Sequence, residues 1–369
     1  MKNEIILVIN SGSSSIKYST YHCQSSLEVI HQGEIEVTGD PALALEKLLN
    51  NLEQSIESFS LKAVGHRVVH GGRDFFTPVK VTETVFKQLS KLIPLAPYHQ
   101  KDNLLAIEII AKRYPLMLQV ACFDTAFHHT QPRLATLFAL PRKLTDEGIM
   151  RYGFHGLSYE YIASVLPQHI GSVADKKVIV AHLGGGASMC AMSAGKSMAT
   201  SMGLTALDGL IMGKRCGSID PGVLLYLLEE KKKTVTEVSD ILYKQSGLLG
   251  VSNISDDVRV LQTSTDPHAK EALDLFCYRA AQELGALAFV LKGCDAIIFT
   301  AGIGENSAWI REKICNYAAW LGLSLDSDAN KNNAGIISPP ESKILVGVIP
   351  TNEALMIARH TYNLQMIEK

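Results

Sequence analysis

Apolar residues recur along this chain in two rhythms. Short runs rich in β-branched residues fill 5–9, 16–21, 29–37, 63–69, 117–123, 178–181 and 296–300, and each reads as a strand bounded by turn formers. Between them the spacing lengthens to that of a helix face. The clearest helix opens at Asp266-Pro267, an N-cap followed by proline in the first turn. From there Leu273, Phe276, Cys277, Ala280, Leu284, Leu287, Ala288 and Leu291 form one stripe, with Gly293 as the stop. Thr234 and Glu237 fit a capping box for another helix, and Lys231–Lys233 just ahead of it read as a solvated helix end. "PTNEALMIARH" starts a third, with Glu353 in its first turn. Strands alternating with helices predict mixed α/β layers.

One piece of this pattern repeats. "EIILVINSGSSSIKYSTY" reads strand, small-residue turn, strand, and so does "KKVIVAHLGGGASMCAM", Lys176 to Met192. "DAIIFTAGIGEN", Asp295 to Asn306, repeats the first half, a strand running into a glycine loop. Three such junctions predict two similar domains, each offering backbone N–H groups to one shared ligand. The polar segment "PRKLTDEG" puts the boundary near 148–151. Phosphate suits these turns, because glycine lets amides approach closely and successive N–H groups form an anion-binding concavity. Any one turn alone reads better as a hairpin without a ligand, and the three together shift the balance towards a nucleotide. Two standard motifs fail: "AGKS" would need glycine in place of Cys190 to make a P-loop, and "GIGENS" would need glycine or alanine in place of Ser307 to make a dinucleotide fingerprint.

Composition narrows the partners. A formal charge of −2 with no basic tail argues against nucleic acid, so an anionic substrate would need local positive charge at its site. Seven cysteines without a C-x-x-C pair argue against a zinc site or a disulfide framework and for a reducing cytosol. No stretch approaches the ~18 apolar residues of a membrane span. A cytoplasmic protein without a membrane partner is expected.

Charged residues beside the turns are the candidates for chemistry. Arg67 lies among strand residues with Val69 on the same face, and Arg215 lies in the glycine-rich "GKRCGSIDPG". Asp124 ends a strand in "CFDTAFHH", and His155 sits between glycines in "RYGFHG". Each alone is also explained as a paired surface arginine, a helix-terminal carboxylate or a hydrogen-bonded histidine. His31, His70, His128 and His129 read as structural or surface residues.

Taken together, "VINSGSSSIKY", "GHRVVHGG", "LAPYH", "FDTAFH", "RYGFHG", "AHLGGGAS", "TSMGLTALDGLIMGKRCGSIDPG", "FTAGIGENS" and "TNEALMIARHT" make the chain resemble the acetate kinases, in family order from Val8 to Thr361. The resemblance implies an α/β fold of two duplicated ribonuclease H-like (actin-like ATPase) domains with an interdomain nucleotide cleft. It implies an N-terminal domain over 1–149, completed by the C-terminal helix at about 353–369, and a nucleotide-binding and dimerisation domain over 150–352. The implied reaction is reversible transfer of the γ-phosphoryl group of ATP to acetate, giving ADP and acetyl phosphate, with Mg²⁺ (or Mn²⁺). Propionate or butyrate is the alternative acceptor, and a homodimer is the implied assembly.

The resemblance also assigns roles. Arg67 and Arg215 bring carboxylate and phosphate together, His155 and Arg215 stabilise the transferring group, and Asp124 orients an arginine. Asn10 and Glu353 organise the metal. Val69, Tyr98, Phe154 and Ala206 wall the acyl pocket. Lys17, His182, Gly184, Gly185 and Gly186 contact phosphates; Asp257, Val258 and Arg259 match the adenosine segment, and Gly302, Ile303 and Gly304 line the nucleotide. Several positions depart from the family pattern: Gly185 replaces asparagine, Ala199 aspartate, Lys214 threonine, Tyr98 leucine and Ala206 proline. Two other readings use the same fold. A kinase acting on an alcohol would need Asp124 as a base, and an ATP-driven conformational protein would need no acceptor arginines.

Overall fold

The structure, a computed structural model, describes residues 3–12, 15–55 and 59–367. Ser13 and Ser14, in the first small-residue turn, lie outside the described residues. Among the described residues eleven strands form two sheets. They are β1 (Asn3–Ser11), β2 (Ser15–His22), β3 (Val29–Glu36), β4 (Phe59–Val68), β5 (Val79–Lys80), β6 (Leu118–Phe123), β7 (Lys177–Leu183), β8 (Ala187–Ser193), β9 (Lys196–Thr200), β10 (Ala296–Thr300) and β11 (Leu345–Val348). One sheet runs β3-β2-β1-β4-β6-β5 and the other β11-β10-β7-β8-β9.

Read from their meanders, the two orders coincide over five strands, with β5 an extra edge strand on the first sheet. β1, β2 and β3 pair antiparallel and so do β7, β8 and β9. β4 and β6 then add parallel beside β1, as β10 and β11 add beside β7. This is the duplication that the repeated strand-turn-strand segments predict. It is the expected α/β architecture.

The chain divides into two compact units, Met1–His129 with His155–Tyr161 and Asn352–Lys369, and Thr130–Phe154 with Ile162–Thr351. Residue 149, the expected boundary, lies within the second unit. In the first unit both faces of β1 are covered, so its stretch Ile5–Ile9 is apolar without a break. Ile6 and Val8 pack with Met356 and Ile357 of the C-terminal helix Glu353–Ile367, while Leu7 and Ile9 pack with Leu45, Leu48 and Ile110 on the opposite face. Burying each such side chain is worth about 1.5–3 kcal/mol. The C-terminal helix lies directly on β4 at Gly65, where an added Cβ would stand 2.3 Å from Thr361 Oγ1. Gly65→Val would push the helix off the sheet.

In the second unit the long helix Pro267–Leu291 forms as expected, capped by Asp266 and buried along the anticipated stripe. Lys292 takes the left-handed capping position just ahead of Gly293. The capping box of Thr234 and Glu237 is present. The third junction differs from its expectation, because Ala301–Asn306 is a short helix and not a loop. No helix among the described residues is long and apolar enough to cross a membrane.

Candidate active site

Parallel α/β sheets present ligand-binding groups beyond the carboxyl ends of their strands. In the first unit, adjacent strands β1, β4 and β6 bring Asn10, Arg67 and Asp124 to that edge. Arg67 Nε donates to both Asp124 oxygens at 3.0 and 3.1 Å, its Nη2 donates to Oδ2 at 2.5 Å, and Nη1 reaches Asn10 Oδ1 at 3.3 Å. The Asp124 side chain is 1 % exposed and that of Arg67 21 %. Burial works against the guanidinium charge, but Asp124 and Glu353 nearby outweigh it and hold the group charged. Glu353 begins the C-terminal helix, so the field of this carboxylate reaches the same arginine.

His155 enters through the backbone. Gly156 N–H donates to the Asp124 carbonyl at 2.8 Å, and a Cβ on Gly156 would stand 2.2 Å from that oxygen. Only glycine permits the approach, and it sets buried His155, itself at φ 58°, beside Asp124. Lys17 lies across the hairpin from Asn10 and forms a loose exposed pair with Glu34.

Two residues with no assigned role complete the edge. Asn103 receives the Val69 N–H at 3.0 Å and donates to the Ser11 carbonyl at 2.7 Å, joining the ends of β4 and β1. Gln100 exchanges two hydrogen bonds with the His70 backbone. Both are buried on the helix Gln100–Arg113, which follows half-buried Tyr98. Sequence reading does not single them out, and polar residues at i and i+3 of an apolar stripe are the one faint sign of them.

The second unit furnishes the equivalent edge with backbone. β7 carries His182, paired with Thr300 on β10 and Ser188 on β8. The turn Gly184–Gly186 closes with a 3.1 Å bond from Gly184 N–H to the Gly186 carbonyl. A Cβ on Gly184 would lie 3.7 Å from the Ala301 Cβ, so the turn and the segment Gly302–Gly304 are neighbours. At Gly185 and Gly302 an added Cβ would meet nothing within 4 Å. These glycines leave open space that the protein does not fill.

Arg215 joins the same neighbourhood. Gly213 N–H bonds the Gly185 carbonyl at 3.3 Å, and Arg215 Nη1 donates to the Ala206 carbonyl at 2.6 Å. Lys214 Nζ stands 3.5 Å from Asp256, which tethers this loop to the Asp257–Arg259 segment. Asp257 caps the helix Val258–Thr263 and binds the exposed Arg259 guanidinium, whose hydrogen bonds lower the carboxyl pKa. Val258 and Phe154 are buried and Ile303 is half-buried.

Among the described residues no three His, Cys, Asp or Glu side chains gather to hold a metal. Asn10 and Glu353 offer an amide oxygen and one carboxylate, linked through Arg67. That set suits an ion that arrives with a nucleotide, since Mg²⁺ commonly takes one or two protein carboxylates and fills its shell with phosphate and water.

A sequence profile of the Acetokinase family matches residues 34–359. The chain belongs to this family. It is 52 % identical over 394 aligned positions to the acetate kinase of Rhodopseudomonas palustris strain TIE-1, covering 98 % of each chain. With the acetate kinase of Rickettsia felis it shares 43 %, over 96 % of this chain and 98 % of the other. Among solved structures, a propionate kinase from Francisella tularensis superposes with a TM-score of 0.92 at 36 % identity, covering 98 % of this chain and 99 % of that one. The acetate kinase of Porphyromonas gingivalis superposes at 0.87 and 35 %, with the same coverage.

Proposed function

We infer that the chain is an ATP:carboxylate phosphotransferase acting on acetate. A carboxylate oxygen of acetate attacks the γ-phosphorus, a P–O bond to acetate forms as the bond to the β-phosphate oxygen breaks, and ADP leaves. Acetyl phosphate is the other product, and the reverse reaction uses the same groups. The observation that carries this reading is Arg67 fixed by both oxygens of a buried Asp124. An Asp124 so engaged is an orienting group and not a base, and acetate needs no base. Its carboxyl resembles a glutamate side chain, with pKa ~4.3, and is ionised at neutral pH.

The obstacle is repulsion. Two unit charges ~4 Å apart cost on the order of 4 kcal/mol at an effective dielectric of 20. Arg67 and Arg215 offset it, because the guanidinium fork matches carboxylate and phosphoryl oxygens. His155 and Arg215 meet charge that builds on the transferring group, which is the main lever on phosphoryl transfer. The adenosine lies along Asp257–Arg259, and its phosphates along Lys17, His182, Gly184–Gly186 and Gly302–Gly304. A Mg²⁺ or Mn²⁺ ion, held by Asn10 and Glu353 with the phosphates, would neutralise phosphate charge when bound.

Val69, Tyr98, Phe154 and Ala206 set the acyl length. Tyrosine at 98 adds bulk relative to the leucine usual in the family, while alanine at 206 removes some relative to proline, and we read the balance as favouring acetate over propionate and butyrate. One methylene in such a pocket shifts discrimination by only ~1–3 kcal/mol. Tyr278, Phe289 and Trp320 are at least half exposed on the second unit and would be covered in a homodimer formed through it. The test is kcat/KM for acetate, propionate and butyrate with MgATP. Acetate should rank first. ADP release that ignores all three acids would contradict the reading.

A further inference from the structure

We propose that Glu305 is a positioning residue for the nucleotide, holding the turn from which Gly302–Gly304 are presented while Arg311 fixes the far end of the same segment. The proposal rests on the reading of Gly302–Gly304 as nucleotide-lining.

The segment begins with an unfavourable backbone. Ala301 sits at φ 64°, a left-handed conformation that a residue with a Cβ avoids. Thr300, the residue just before it, does not cap the turn with its side chain, and its buried hydroxyl has no hydrogen-bond partner among the described residues. Glu305 does the capping instead. One carboxylate oxygen receives the Ala301 N–H at 2.8 Å and the Thr351 N–H at 3.1 Å. That oxygen therefore ties the segment after β10 to the segment after β11, two neighbouring parallel strands.

Arg311 works from the other side. It is fully buried, and Nη1 donates to the Gly304 and Glu305 carbonyls at 2.8 and 3.0 Å. Its remaining bonds go to Asn330 and to the Asn333 side chain. No carboxylate pairs with it among the described residues, so its burial is sustained by neutral acceptors alone, an arrangement that is tolerated only when every donor is satisfied. Glycines have no side chains to pack, and a Cβ at Gly302 would touch nothing within 4 Å. Two charged side chains therefore supply the rigidity that packing supplies elsewhere. Glu305 is gripped at both its carboxylate and its carbonyl, which makes it the node.

The test compares Glu305→Ala, Glu305→Asp, Glu305→Gln and the double variant Ala301→Gly/Glu305→Ala. The readouts are MgATP binding by calorimetry and the separate KM values for ATP and acetate. Glu305→Ala should weaken MgATP binding and raise the KM for ATP about ten-fold or more, with the KM for acetate within about two-fold. Glutamine keeps an acceptor oxygen and should restore most of the loss. Glycine at 301 adopts the left-handed turn freely and should recover part of it without the carboxylate. If Glu305→Ala does not fold, Glu305→Asp, which retracts the carboxylate, should show the same split. Wild-type MgATP binding in the Ala or Asp variant overturns the positioning role and leaves the kinase reading standing, as does an equal rise of both KM values. Failure of the wild-type chain to bind MgATP overturns the nucleotide reading and this proposal with it.

Discussion

The two sheets follow one plan, yet their equivalent edges are furnished in opposite ways. Beyond β1, β4 and β6 stand side chains: Asn10, Arg67 and Asp124, each bonded to the next. Beyond β7 and β10 stand Gly184–Gly186 and Ala301–Gly304, where backbone amides and open space replace side chains. The arginines follow the same division. Arg67 is aimed by a carboxylate, whereas one bond holding Arg215 goes to the main-chain carbonyl of Ala206. On the reading proposed above, the duplicated fold would separate two tasks, steering a small carboxylate with charge and gripping a polyphosphate with backbone.

Removing the charges should have the largest effect. Arg67→Ala and Arg215→Ala should each lower kcat/KM by about 10²–10³, the usual loss of one transition-state donor. An effect confined to one of them would break the symmetry of the account. The first unit should also be the acid-sensitive one. Burial pushes the pKa of His66 down to about 4, against a weaker opposing effect of the Gln119 amide, and burial alone does the same to His70. Each is neutral in the fold and has a pKa of ~6.5 unfolded, so the unfolded chain takes up the proton first. Their contribution is intact above ~6.5 and is lost as pH falls toward 4, on the order of 3 kcal/mol per histidine. Melting that is unchanged between pH 7 and pH 4.5 would contradict this.

Asp124→Asn sharpens the contrast between the arginines. It keeps the shape but removes the charge that orients Arg67, and kcat should fall about 10- to 100-fold with the pH profile unshifted. A lost kinetic pKa near neutrality would make Asp124 a base instead. On the other edge, Gly185→Ala places a methyl in open space. It should leave the unfolding temperature unchanged and the KM for ATP within about two-fold, because the family pattern carries a larger asparagine at this position. Ala206→Gly keeps the carbonyl that holds Arg215, so kcat should stay within about two-fold.

What could be read in advance follows the same division. The strands beside the sites are continuous apolar runs, and Asp266-Pro267 and Thr234 with Glu237 carry their own start signals, so these elements were legible. β5, β9 and β11 are short or lack alternation, and their pairing is fixed by neighbouring strands. Arg67, Asp124 and Arg215 stood out because charge beside a turn is conspicuous. Asn103, Gln100, Glu305 and Arg311 did not, because each acts on main-chain groups that are distant in sequence or hidden by the fold. The glycine segment after β10 read as a loop, since its helix depends on the Glu305 and Arg311 bonds and not on propensity.

The most direct test is to trap the product with hydroxylamine at saturating MgATP, for the wild-type chain and for Arg67→Ala and Arg215→Ala. The account predicts acetyl hydroxamate in equal amount to ADP for the wild type, neither product without acetate, and parallel loss of both in each variant. ADP formed at the wild-type rate without acetate, or undiminished hydroxamate in either variant, would contradict it.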